Sequence, residues 1–429
     1  MNKALKIGLG VFAAIILLAG AFSGGFLTGH FVGLPGSATE NLPPVASTPS
    51  SDQQSATPAE LQTLFQPFWE AWNLIHESYV DQPVNDVALM RGAINGMLEV
   101  LGDPHTSYMD PDEFTQLNAS LSGEYEGIGA YVDTSTEYLT VISPIPGSPA
   151  EAAGLRSGDA ILAIDGRDMT GVDPELVRKQ VLGPAGSVVT LTIRRGDDVP
   201  FDVKITRAKI VIKSAEGKML DDGIAYVQIT TFGDKTTPEL KATLETLMAQ
   251  NPKGIILDLR NNGGGYLQTA IEVSSQFIPE GDVVMYERYG SGERDTYLSF
   301  EGGLATDIPM VVLINEGTAS ASEIVAGALQ DYGRAKLVGV LSYGKGSVQQ
   351  PTMLSNDQGA VKITIAKWLT PNERLIHGIG LTPDVFVLMT EEDYNNDRDP
   401  QLQAAIETLL AMLSGSPVPT SMPTPVPTP

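Results

Sequence analysis

Two short runs, Gly254–Leu259 and Met310–Ile314, are apolar almost without a break. Such runs read as strands covered on both faces, as in a parallel sheet flanked by helices. Helical patterns separate them. From Lys218 onward, strands are expected at Ile224–Ile229, Gly254–Leu259, Met310–Ile314 and Lys336–Val340, with helices at Thr237–Gln250, Leu267–Phe277 and Ser320–Leu329. That alternation predicts an α/β layer structure, and no short repeat period competes with it. A chain of 429 residues that is 42% hydrophobic can supply two or three packed domains.

The flanking chain is of other kinds. Phe65, Phe68, Trp69, Trp72, Ile75 and Tyr79 recur three or four apart, which predicts a helix whose aromatic stripe packs in a core. A second helix is expected from Asp86 to Leu101, before turn chemistry at Gly102–Tyr108. Between Gly123 and Lys209 the pattern changes to short strands with two helices, including a hairpin of Val188–Arg194 with Val199–Ile205. Residues 35–59 and 414–429 are rich in Pro, Ser and Thr and read as disordered tethers.

At the N-terminus, Lys3 and Lys6 precede a run that carries no charge until Glu40 and is densely apolar from Ile7 to Leu27. About 20 apolar residues cross a bilayer as a helix. An uncleaved anchor with a cytoplasmic start is therefore expected. A cleaved signal peptide, with Ala19-Gly20-Ala21 as its small-residue site, is the competing reading. Both export the rest of the chain, as a membrane-anchored protein facing the periplasm or exterior, or as a secreted one.

Charge narrows the partners. Acidic residues outnumber basic ones 52 to 27, for a net charge of -25. That argues against nucleic acid, which needs a basic face, and against charge-driven docking on anionic lipid. The absence of cysteine removes disulfides, thiolate metal sites and thiol nucleophiles. His30, His76, His105 and His377 are scattered without metal-ligand spacing, so no metal or cofactor is expected.

If the chain performs acyl transfer, a hydroxyl paired with an amine is the remaining apparatus. In open α/β sheets, functional groups gather at the carboxyl ends of strands. Three loops fall there: Asn261–Gly265, Asn315–Ser320 and Tyr343–Gln349. Ser320 opens a Ser-Ala-Ser-Glu capping box, and a plain helix cap is its blander reading. A serine at a helix start is also expected to be exposed at the tip, beside free N–H groups and the positive dipole end. The Ala321 N–H could then serve an oxyanion, with Ser322 or Thr318 supplying the cap.

Lys345 lies between Gly344 and Gly346, where the backbone can turn tightly. An exposed lysine has a pKa of about 10.4 and is a poor base; burial would lower it. A solvated loop lysine is the alternative. Gln349, four residues on, lies on the same side in either helix or strand and could orient the amine. Ser342-Tyr343-Gly344-Lys345 matches S-x-x-K, a rival nucleophile, but that motif needs a helical turn that the glycines oppose. No G-x-S-x-G, S-D-N or K-T-G accompanies it. Gly263-Gly264-Gly265 lacks the ending of a phosphate loop and could supply a second oxyanion donor.

Two resemblances gather these pieces. Residues 123–209 resemble a PDZ domain through Tyr125-Glu126-Gly127-Ile128-Gly129-Ala130, Gly147-Ser148-Pro149-Ala150 and Ala153–Ile161. A glycine-flanked loop there could receive a terminal carboxylate, and an edge strand an extended peptide. More broadly, Leu61–Met389 resembles the C-terminal processing peptidases, or tail-specific serine proteases. The motifs are Asn315–Ile324, Tyr343–Gln349, Asp258–Gly265, Gly102–Tyr108 and Gly378–Asp384.

The resemblance implies Ser320 as nucleophile, Lys345 as general base and Gln349 as its assistant. It implies an oxyanion hole from the N–H groups of Gly264 and Ala321, and a peptide site at Gly127, Ile128, Gly129 and Ala130. The glycine loop departs from the family's Asn-Pro-Gly-Gly, with Gly263 in the proline position. The fold class it implies is α/β within an α+β multidomain chain: a βα-alternating protease core with an inserted PDZ domain, an N-terminal helical segment and an N-terminal membrane anchor. The expected divisions are an anchor or signal at 1–34, a linker at 35–59, a helical segment at 60–122, the PDZ domain at 123–209, the protease core at 210–390, a C-terminal helix at 391–413 and a Pro-rich tail at 414–429. Expected partners are protein substrates with free apolar C-terminal tails and, through the N-terminal segment, a membrane; self-association stays open. A tail-reading scaffold with a dead core and a small-molecule acyl hydrolase are the alternatives to a protease.

Overall fold

The near-continuous apolar strands are buried on both faces. The computed structural model describes residues 59–418, apart from 197 and 397. The expected anchor, most of the first linker and most of the Pro-rich tail lie outside them. Among the described residues no helix is long and apolar enough to cross a membrane.

The βα-alternating core contains a six-stranded sheet. Its strands are β1 (Ala215–Leu220), β2 (Ile224–Ile229), β3 (Gly254–Asp258), β6 (Met310–Ile314), β7 (Ala335–Gly339) and β10 (Val385–Phe386), in the spatial order β1-β2-β3-β6-β7-β10. Strand β1 is antiparallel to β2, and the rest run parallel. Helices α1 (Thr236–Met248), α2 (Leu267–Ser274) and α3 (Ala321–Asp331) follow β2, β3 and β6. Alternate residues of each central strand face opposite cores. Ile255, Leu257, Val312 and Ile314 pack with Leu244, Ala270 and Ile324. Ile256, Val311 and Leu313 face the other way, against Ala405 and Leu409 of α4 (Pro400–Ser414). Two covered faces explain why these strands show no polar alternation.

An antiparallel sheet, which the apolar pattern did not reveal, joins the first core. It contains β4 (Val283–Tyr289), β5 (Arg294–Leu298), β8 (Ser347–Met353) and β9 (Ala360–Leu369); β9 pairs with β4 and β8, and β4 pairs with β5. Val284, Met285 and Trp368 bury it against the helices. Ahead of the core, residues 124–211 form their own small β domain. Five antiparallel strands, Ala130–Asp133, Thr140–Pro144, Asp159–Ile164, Val188–Arg195 and Phe201–Thr206, lie in chain order. Helix Pro174–Val181 buries Val177 and Val181 in their shared core.

Residues 59–108 belong to a separate compact unit. Helices Ala59–Leu64, Gln66–Ser78 and Asp86–Glu99 match the helical spacing. The aromatic stripe, however, is not buried. Phe65, Phe68, Trp69, Ile75 and Tyr79 are exposed, and Trp72 is half-buried. The rings instead pack on one another, with Phe68 and Trp69 at 5.1 Å between centroids and Trp72 stacked on His76.

Candidate active site

Three loops leave the sheet at the carboxyl ends of β3, β6 and β7 and interlock. The first is Leu259–Tyr266. Its Asn261 N–H donates to Asn315 Oδ1 at 2.8 Å, and Asn315 Nδ2 returns a bond to Asn261 Oδ1 at 2.9 Å. Thr318 Oγ1 donates to the Leu259 carbonyl at 2.9 Å. The Asn262 carbonyl accepts from Ala319 N–H at 3.0 Å and Ser322 Oγ at 2.8 Å. Thr318 and Ser322 therefore tie the second loop to the first; neither caps the helix, as the sequence had suggested.

Ser320 ends the second loop as the N-cap of α3, with φ 57° and ψ -117°. A positive φ is rare outside glycine and costs about 1–3 kcal/mol, so its surroundings must enforce it. The side chain is 0% exposed, not open at the helix tip as expected. Its Oγ has no hydrogen-bond partner. The cap comes from Glu323, whose Oε2 accepts the Ser320 N–H at 2.9 Å. Ser320 and Glu323 thus form the capping box that the sequence announces, with Ser320 Oγ facing the Glu323 N–H and making no full hydrogen bond of its own.

The third loop presents Lys345, 2% exposed. Gly344 precedes it with φ +87°, a backbone shape that favours glycine. Tyr343 N–H donates to the Thr318 carbonyl at 3.0 Å, which joins this loop to the serine turn. Trp368 Nε1 donates to the Lys345 carbonyl at 3.1 Å. Gln349 follows on β8, fully buried. Its Nε2 donates to Ser347 Oγ and Thr364 Oγ1, while its Oε1 has no partner. The rival Ser342 is committed elsewhere: its Oγ donates to Glu323 and accepts from Leu381 N–H.

Gly264 lies against the serine. A Cβ placed there would sit 2.8 Å from Ser320 Cβ and 2.9 Å from Ala321 N. Its own N–H donates to Asn262 Oδ1 at 2.9 Å, so in this arrangement it is already engaged. In the small β domain, Gly127 ends strand Glu124–Gly127, Ile128 is buried, Gly129 has φ +79° and Ala130 opens the next strand. The Gly129 carbonyl accepts from Ser148 Oγ at 2.8 Å, which fixes this turn.

Comparison with known proteins follows the same layout. Models of the activating protease CtpB N-terminal domain, a PDZ domain and peptidase family S41 match residues 26–113, 140–195 and 223–387. The chain is 40% identical over 325 residues to a carboxy-terminal-processing protease of Bartonella bacilliformis, covering 75% of this chain and 74% of that one. It is 37% identical over 317 residues to the carboxy-terminal processing protease CtpA of Bacillus subtilis, covering 74% and 67%. The chain belongs to peptidase family S41. It is a serine peptidase with a mixed α/β core and a PDZ domain. The solved structure of a putative S41 protease from Bacteroides fragilis shares the fold, with a TM-score of 0.52 at 18% identity over 80% of this chain and 96% of that one.

Sequence reasoning missed what holds this peptidase's loops together. Asn262, Asn315 and Glu323 are buried polar residues that fasten one loop to the next. Asn262 binds the Ile229 carbonyl through Nδ2 at 2.7 Å while its Oδ1 holds Gly264. The available signals were the Asn-Asn-Gly-Gly-Gly run and the Glu of the capping box, but a motif does not name tertiary partners. Among the described residues no group of His, Asp and Glu gathers to hold a metal ion.

Proposed function

We propose that this serine peptidase cleaves exported proteins near their C-terminal tails, with Ser320 as nucleophile and Lys345 as general base. The observation that carries the reading is the buried, unpartnered Ser320 Oγ at a strained helix start, with a buried lysine on the adjoining turn. Burial disfavours an ammonium relative to a neutral amine. A neutral Lys345 takes the Ser320 proton as Oγ attacks the peptide carbonyl. The resulting Lys345 ammonium then gives that proton to the leaving nitrogen as the C–N bond breaks, which frees the amine product and leaves the acyl-enzyme. Water repeats the sequence on the acyl-enzyme.

The Ala321 N–H, at the first position of α3, has no helical acceptor and faces the developing oxyanion with the positive end of the helix. Gly264 adds a second donor once its N–H is exchanged from Asn262. Gln349 supports Lys345 with its unpaired Oε1. The PDZ domain receives a free apolar C-terminus at Gly127–Ala130. The N-terminal segment anchors the chain in a membrane with its catalytic part outside the cytoplasm, or is cleaved to release it. Because Ser320 and Gln349 are fully buried, a substrate enters only after the surrounding loops open.

The direct test is cleavage of internally quenched peptides with varied free C-termini by the full chain and by Ser320→Ala. Cleavage by wild type alone is expected. Equal rates would remove Ser320 as nucleophile, and tail binding with no cleavage in either would favour a scaffold.

A further inference from the structure

Gln349 lies on β8, two residues beyond Ser347, and is fully buried. Its side-chain amide has two N–H donors at one end and an acceptor oxygen at the other. Both donors are taken. Nε2 donates to Ser347 Oγ at 2.8 Å, within its own strand, and to Thr364 Oγ1 at 3.1 Å, across on β9. The oxygen at the far end, Oε1, is buried and unpartnered. A buried acceptor left unpaired is costly, and such a group calls for a physical reason.

The strand pairing brings the threonine to this place. β8 and β9 pair in step at Ser347 with Lys367 and at Val348 with Ala366, but the next pair is Gln349 with Thr364. The shift skips Ile365. In unbroken register Gln349 would oppose Ile365, which has no acceptor to offer. Irregularities of this kind re-aim side chains and recur beside active sites.

The orientation of the amide matters to a lysine that works as a base. On taking the serine proton, Lys345 becomes an ammonium with three donors and no acceptor. Only the oxygen end of an amide can receive it; the NH2 end would oppose it. A hydrogen bond to the charged form favours that form.

We infer that Thr364 and Ser347 are positioning residues for catalysis: by accepting both N–H groups of Gln349 they keep its carbonyl oxygen as the end left for the Lys345 ammonium. This rests on the Ser320–Lys345 reading above. Each hydroxyl acts through Gln349.

Thr364→Val keeps the shape and removes the acceptor, whereas Thr364→Ser keeps the acceptor. The test measures kcat and KM for the full chain on an internally quenched peptide with free apolar C-terminal residues, alongside a thermal melt. Expected is a folded Thr364→Val whose kcat falls about tenfold, the scale of one hydrogen bond to a charged group. KM is expected to stay within about threefold, and Thr364→Ser to keep kcat within about threefold of wild type. A folded Thr364→Val with kcat within about threefold of wild type overturns the proposal, as does a loss confined to KM or one that Thr364→Ser shares. A Gln349→Leu background separates action through the amide from packing. There Thr364→Val is expected to lower kcat by less than about twofold further, and a repeated tenfold loss overturns the proposal. If Thr364→Val does not fold, Ser347→Ala removes the other acceptor. The same fall in kcat at constant KM is then expected, and a kcat within about threefold of wild type overturns the positioning role. Ser320→Ala in the same assay keeps the two claims apart. An active Ser320→Ala sinks the dyad, whereas an inactive Ser320→Ala beside a fully active Thr364→Val sinks the positioning role alone.

Discussion

At the scale of single residues, the site is a set of positions where one atom more or less decides the outcome. Gly264 is the clearest. Its φ is +100°, and an added Cβ would meet the Ala319 carbonyl oxygen and Ser320 Cβ at 2.8 Å. Gly264→Ala must displace either the glycine loop or the serine turn. We expect kcat/KM to fall at least about 100-fold and the melting temperature to drop by a few degrees; steady-state kinetics and a thermal melt check both. Near-wild-type activity would show that the loop does not touch the reaction. Ser320, Lys345 and Gln349 were legible as candidates because they sit in glycine-marked turns after apolar strands. Glu323 was legible only as half of a capping box. Its three bonds to 342–345 join segments about twenty residues apart in the chain, and no local pattern encodes such a pairing.

Elements differ in how plainly the sequence states them. Strands β3 and β6 were readable because both faces are buried. Strand β1 (Ala-Glu-Gly-Lys-Met-Leu) and strand β5 (Arg-Asp-Thr-Tyr-Leu) were not, since both are largely exposed and polar. The aromatic stripe of Gln66–Ser78 misled in the opposite direction: helical spacing identifies an apolar face, not what covers it. Helix α4 shows how an element can bear on the site from behind. Its N-cap Asp399 pairs with Arg260 at 2.9 Å, and Arg260 also pairs with Asp258 at the end of β3.

Burial alone would raise the Asp399 pKa, but Arg260 and the N–H groups of Leu402 and Gln401 outweigh it and hold the carboxyl below its usual range. A depressed carboxylate stabilises the fold above its unfolded pKa of about 3.9. That contribution is lost as pH falls through the folded value. Asp399→Asn should therefore melt below wild type near neutral pH, with the gap closing as pH drops below about 4. Parallel melting curves at several pH values check this. A gap that stays constant with pH would show that the ion pair does not fasten α4.

The whole molecule combines a buried serine and a buried lysine on interlocking loops with a PDZ domain. Ser320, Lys345, Gln349 and Glu323 are all buried. A net charge of -25 suits protein substrates rather than nucleic acid. Among the described residues, the change from helices to short strands to βα alternation was legible from shifts in pattern, whereas the enclosure of the site was not, because it depends on loops from three strands meeting. The most direct measurement is peptide mapping by mass spectrometry after exposure to a fluorophosphonate, which captures an activated serine. The account predicts modification at Ser320 and its near-complete loss in Lys345→Ala at matched protein and reagent. Modification at Ser342 instead, or equal labelling of Ser320 without the lysine, would contradict it.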